Sequence, residues 1–145
     1  MPTPSGGTHE AGFRQAITRA LRSFGDLAGN RKAADITADD VFAGTAAMLS
    51  VFLSDPQLQG QTKDRLVSAD ATRLTEQAAR DRFEQWLSAD AARAQFLLDA
   101  AIERAEDRKR RKKEREVARK SATRRLRLPG KLADCAANDT EVTEL

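Results

Sequence analysis

The chain has one cysteine, one histidine, four prolines, one tryptophan and no tyrosine among its 145 residues. A single cysteine excludes an internal disulfide framework, and with one histidine there is no ligand cluster for a zinc site. No apolar run approaches the length of a membrane span, and no charged start followed by an apolar stretch marks a leader. A cytoplasmic protein with no membrane partner is therefore expected. Aromatic residues make up only 5%, so the core should be thin and built mostly from Ala and Leu. The length suits one ordinary domain.

Charge, by contrast, is abundant. Between Glu103 and Arg127 there are 13 Lys and Arg against five Asp and Glu, whereas the rest of the chain carries 12 basic and 17 acidic residues. The net charge of +3 thus conceals a concentrated positive segment on an acidic body. Such a layout reads as a local electrostatic site, most often for nucleic acid.

Met1 to Glu10 is rich in Pro, Gly, Ser and Thr and is expected to be extended or looped. Ala11 to Ala28 has helical spacing, with Phe13, Ile17, Ala20, Leu21, Phe24 and Leu27 on one stripe, and Gly29-Asn30 is a stop. Thr37 and Asp40 form a short capping-box start for a brief helix that Gly44 should end. Thr45 to Leu53 is a compact apolar run, read as a buried strand; a helical continuation competes, because Ala46, Ala47, Met48 and Leu49 are good helix formers. Asp55-Pro56 turns the chain.

Two long helices follow. Ser68 should cap the first, ending near Leu87 with Leu74, Ala78, Phe83, Trp86 and Leu87 inward. Ser88 should cap the second, whose stripe of Ala94, Leu97, Leu98, Ala101, Ile102 and Ala105 then stops. Helix-forming Arg, Lys and Glu continue towards Thr123, so the basic half should project from the body. Pro129-Gly130 ends regular structure. The fold class expected is α/β and helix-rich. One strand alone cannot pair its backbone groups, so its partners are expected in sequence outside this chain.

Three strings stand out: Ser-Gly-Gly-Thr-His-Glu-Ala-Gly-Phe-Arg from Ser5 to Arg14, Asp-Pro-Gln-Leu-Gln-Gly-Gln-Thr-Lys from Asp55 to Lys63, and Leu-Pro-Gly-Lys-Leu-Ala-Asp-Cys from Leu128 to Cys135. Together, in this order and spacing, they resemble the B-subunit family of bacterial type II DNA topoisomerases. The likeness covers essentially the whole chain and is closer to the topoisomerase IV branch than to the gyrase branch. It implies a fragment: residues 1–127 would be the later part of a transducer-type βαβ domain with its long basic helix. Residues 128–145 would connect into a TOPRIM domain that is not present. The resemblance further implies ATP as a cofactor, and Mg2+ whose ligands lie outside this stretch. The implied partners are DNA, an A subunit in a heterotetramer, and the ATPase and TOPRIM domains of the same subunit.

Gly60-Gln61-Thr62-Lys63 offers a mobile turn, two polar side chains and one cation, suitable for meeting a terminal phosphate. It is no P-loop, because no Gly-x-x-x-x-Gly-Lys-[Ser/Thr] occurs. The resemblance gives Lys63 the role of the cation that reaches the ATP γ-phosphate, with Gln61 beside it. Arg108, Lys109, Arg111 and Lys112 are the candidate DNA contacts, weighed against a merely solvated helix. No catalytic residue and no metal ligand is assigned, and the fragment alone should be inactive. His9 is expected to anchor a loop by a hydrogen bond, Gly6 and Gly7 to permit a tight turn, and Cys135 to be an ordinary small residue. Phe83 and Trp86 are expected in the core. Two other readings stand beside this one: a gyrase B fragment, and a free-standing basic-helix protein that binds nucleic acid or acts as an adaptor.

Overall fold

A computed structural model describes the backbone of residues 1–125 and side chains as far as 122. The elements run α1 (Thr8–Leu27), a 3-10 turn (Arg31–Asp35), α2 (Ala38–Phe42), β1 (Leu58–Gln59), β2 (Arg65–Leu66), α3 (Ala69–Ala89) and α4 (Ala91–Arg125). The described chain is mostly helical, with one small antiparallel sheet pairing Leu58 with Leu66 and Gln59 with Arg65. It divides into two compact units, one of residues 1–106 and one beginning at Asp107. Leu128 to Cys135, Pro129-Gly130 and the connection at 128–145 lie outside the described residues.

The first unit is organised by α1 packing along α3. Their contact is made by small residues. A Cβ on Gly12 would stand 2.3 Å from the backbone oxygen of Thr72, so the two backbones approach as closely as atoms allow. Ala16, Ala20, Ala71 and Thr75 are buried along the same faces. The deeper core joins Leu21, Ala33, Ile36, Leu87, Ala94, Leu98, Ala101 and Ile102, with Phe24, Val41 and Phe83 against it. The 3-10 turn is tied to α1 by Arg22 Nε, which donates to the Ile36 carbonyl at 2.8 Å.

Local signals in the sequence are met at α2. Thr37 N–H donates to Asp40 Oδ2 at 2.9 Å, and the Thr37 hydroxyl donates to the same oxygen at 2.8 Å. Gly29 and Gly44, both at positive φ, follow the ends of α1 and α2.

Several expectations are corrected. Thr45 to Leu53 contains no strand. Among the described residues no segment pairs with it, and an unpaired backbone gains nothing from strand geometry. Its side chains are correspondingly bare: Met48 is 99% and Phe52 98% exposed. α1 begins at Thr8, so the extended N-terminal segment is shorter than expected and His9 sits in the first helical turn. His9 anchors no loop through Nδ1, which is buried without a hydrogen-bond partner. Ser88 does not cap α4: it lies inside α3 and donates to the Glu84 carbonyl at 2.9 Å. Asp90 is the cap, its Oδ1 accepting the Arg93 N–H at 3.1 Å. On α3 the inward face is Ala71, Thr75 and Leu87, whereas Leu74, Ala78 and Trp86 are exposed. The close α1 crossing favours small side chains there and turns the larger ones outward. Trp86 instead stacks on Phe83 with centroids 5.6 Å apart.

Candidate phosphate-facing loop and basic helix

The hairpin of β1 and β2 positions the candidate loop. Five residues, Gly60 to Asp64, join its two short strands. Gly60 has φ 87°, and the Lys63 N–H donates to the Gly60 carbonyl at 3.3 Å, closing a turn. Lys63 itself has φ 55°, the only non-glycine residue at positive φ among those described. A β-carbon in that region clashes with its own backbone at a cost of about 1–2 kcal/mol. The strain is held by the neighbours on either side. The Thr62 hydroxyl donates to Asp64 Oδ2. The Asp64 carbonyl accepts the Ser5 N–H at 3.1 Å.

The Ser5–Gly7 segment therefore runs alongside β2. Leu66 N–H donates to the Gly6 carbonyl at 3.2 Å, and Gly7 bridges Leu66 in parallel register. Gly7 is required by this approach, since a Cβ there would lie 2.3 Å from the Leu66 carbonyl oxygen. Directly after Gly7 the chain enters α1, and the Thr72 hydroxyl on α3 donates to the Thr8 carbonyl at 3.1 Å. The loop is thus bonded, through a few residues, to the starts of both α1 and α3. Gln61, Thr62 and Lys63 are all exposed, and Lys63 makes no ion pair among the described residues. Gln61 and Lys63 are brought together in one loop, as the sequence suggested. Asp64 and the docked Ser5–Gly7 segment were not foreseen. The only sequence signal for them was the Thr-x-Asp spacing and the Gly-Gly pair.

The basic residues belong to the second unit. Asp107 is half-buried, and every residue from Arg108 through Ala122 is exposed. Arg108, Arg111 and Lys112 share a helical face by their three- and four-residue spacing. Arg110 pairs with Asp107 at 2.9 Å and reaches Glu114 at 4.0 Å, and Lys120 pairs with Glu116 at 2.8 Å. Basic residues outnumber acidic ones throughout this stretch, so solvated pairs of this kind leave a strongly positive surface for a polyanion. Among the described residues no group of three His, Cys, Asp or Glu could hold a metal ion. No described helix is long and apolar enough to cross a membrane.

Comparison with known proteins agrees with the three strings. A family described as DNA gyrase B matches residues 1–117. The chain is 52% identical over all 145 residues to the B subunit of DNA topoisomerase 4 from Caulobacter vibrioides, and 52% identical to that from Bartonella bacilliformis. It is 38% identical over 99% of its length to a DNA gyrase B subunit of Cytophaga hutchinsonii. It spans about a fifth of the two topoisomerase 4 subunits and 30% of the gyrase subunit. A solved structure described as the topoisomerase IV ATP binding domain of Francisella tularensis, with a small-molecule inhibitor, superposes with a TM-score of 0.61 at 28% identity. That match covers 74% of this chain and 31% of the other. The hairpin, its docked glycine segment and the helices around them all lie within the stretch matched by the DNA gyrase B family, to which this chain belongs, and along its whole length it is a homologue of the topoisomerase IV B subunit.

Proposed function

We propose that this chain is the later part of the transducer domain of an ATP-dependent type II topoisomerase B subunit, and that it relays nucleotide state to strand passage. The whole enzyme would pass one DNA duplex through a transient break in another, working with an A subunit that carries the cleaving group. The observation that carries the reading is Lys63: an exposed ammonium without an ion pair among the described residues, on a strained hairpin bonded to the starts of two helices. A compact cation suits this task, because its attraction is lost when the terminal phosphate leaves.

The fit to ATP is limited to that phosphate. Gln61 and Lys63 can hold one terminal phosphoryl group, and nothing in the hairpin is equipped to hold base or ribose. ATP bound by the rest of the subunit would supply the phosphoryl group to be transferred. This chain's part is to place a positive charge beside it and to pass the loop's position to α1 and α3. The described residues do not fit a magnesium site, and no step is assigned through that ion. The basic stretch of α4 would attract duplex DNA through its phosphates, independent of sequence. Alone, the chain should catalyse nothing.

The test is Lys63→Ala in the complete B subunit assembled with its A subunit, with steady-state ATP hydrolysis and ATP-dependent relaxation both measured. Both should fall sharply, DNA cleavage should survive at least partly, and Lys63→Arg should rescue poorly because a planar fork does not replace a compact ammonium. Near-parental rates for the Ala variant would make Lys63 an ordinary surface lysine and end the proposal.

A further inference from the structure

We infer that Asp64 and Thr62 are positioning residues for Lys63. Their side-chain clasp sets the loop's backbone and keeps the neighbouring carboxylate from neutralising the cation. The inference rests on the reading of Lys63 as the phosphate-facing group.

The chemistry of the loop poses a problem that the clasp solves. An aspartate immediately after a lysine is the nearest available counter-ion, and an ion pair between them would remove the charge that a phosphate must meet. In this loop the carboxylate is turned to the Thr62 hydroxyl instead, through Oδ2. Lys63 has no ion pair among the described residues. The same geometry spans Lys63, since donor and acceptor stand on the residues before and after it. Closing that bond holds the intervening backbone at φ 55°, a region an unrestrained lysine leaves. The C-terminal arm of the clasp does not float. The Asp64 carbonyl is fixed by Ser5 and the next residues by pairing with Gly6 and Gly7, so the clasp closes against a frame already bonded to α1. Removing either end should let Lys63 relax to negative φ and redirect its side chain. Removing the Thr62 hydroxyl should additionally free Asp64 to pair with Lys63.

The experiment uses the complete B subunit with its A subunit and reads kcat/KM for ATP. Asp64→Ala and Thr62→Val should each lose about five- to tenfold, the scale of one hydrogen bond that orients a charged group. Thr62→Ser, which keeps the hydroxyl, should stay near the parental value. Asp64→Asn, which keeps an accepting oxygen, should retain more activity than Asp64→Ala. The deciding measurement is the double variant: a residue acting through Lys63 has nothing left to position once Lys63→Ala is present, so adding Asp64→Ala should cost no more. A further loss on that background, matched by a fall in melting temperature, would overturn the inference and make Asp64 a support of the fold. Parental rates for Asp64→Ala and Thr62→Val beside an impaired Lys63→Ala would also overturn it while leaving Lys63 its role. Parental rates for Lys63→Ala itself would remove the reading on which it rests.

Discussion

Gly12→Ala is a substitution whose sign tests the packing of the first unit. By helix propensity alone it should stabilise, because alanine in a helix interior is favoured over glycine by about 0.5–1 kcal/mol. The crossing of α1 and α3 predicts the reverse. The new methyl would lie 2.3 Å from the Thr72 oxygen and 3.0 Å from its carbonyl carbon and Cα. All three are backbone atoms, so no rotamer change relieves the clash, and the helices must part by about 1 Å to restore ordinary contact. That shift loosens Ala16, Ala20, Ala71 and Thr75 together and stretches the bond from the Thr72 hydroxyl to Thr8. Overpacking of this kind costs about 1–3 kcal/mol. Set against the propensity gain, the net should be a loss of about 1–2 kcal/mol. Native-state hydrogen exchange in the complete subunit reads it directly: protected amides of α1 and α3 should exchange about 5–30 times faster. Gly44→Ala is the control. Gly44 has φ 74° but nothing within 4 Å of an added Cβ, so it strains the end of α2 and leaves α1 and α3 protection unchanged. Slower exchange in Gly12→Ala would show that propensity wins and that the helices do not cross this closely.

Other outcomes follow from the same structure. Leu98 is fully buried, and Leu98→Ala should destabilise the subunit by about 2–5 kcal/mol, read as a lowered melting temperature; an unchanged value would remove it from the core. In the 145-residue chain, amides across 45–53 should exchange at nearly unprotected rates, and in the complete subunit they should be protected. Strong protection in the chain alone would contradict the unpaired backbone. Replacing Arg108, Lys109, Arg111 and Lys112 with Gln should weaken duplex DNA binding and reduce its salt slope by about one for each phosphate no longer neutralised. An unchanged slope would return the segment to a solvated helix. The hydrogen bond that the Lys32 ammonium donates to Glu106, and the charge of that carboxylate, hold Lys32 above the ordinary lysine value. The pair therefore contributes at neutral pH and is released as pH climbs through that raised value, an effect that Glu106→Gln should abolish in an alkaline stability titration.

The parts of this fold that were legible in the sequence are those whose causes lie within a few residues. The Thr37–Asp40 start of α2, the glycine stops after α1 and α2, and the helical run beyond Ala105 are all decided locally. The misreadings share a different origin. Thr45 to Leu53 has the composition of a buried strand, but a strand exists only with a partner, and composition does not say whether one is present. The inward face of α3 was assigned to its largest apolar residues, yet a crossing built on Gly12 selects the smallest ones. At the site, Gln61 and Lys63 could be picked out from residue chemistry together with the family likeness. The docking of Ser5–Gly7 could not, because it arises from pairing across some 60 residues, and the left-handed backbone of Lys63 could not, because it depends on which partner the Asp64 carboxylate takes. Two strands of two residues each leave no alternation to detect.

With the role proposed for Lys63, the backbone at position 63 sets local conformation and chemistry at odds. Asparagine is the side chain, after glycine, that left-handed geometry accepts most readily, and lysine codons become asparagine codons by a single change in the third base. The cheapest mutation available at this position is thus one the hairpin would welcome, relaxing strain and removing the cation in one step. Stability alone would favour that change, and the charge proposed for Lys63 would oppose it. Screens that reward only folding or expression should enrich Lys63→Asn and Lys63→Gly, while screens for growth dependent on the enzyme should reject both.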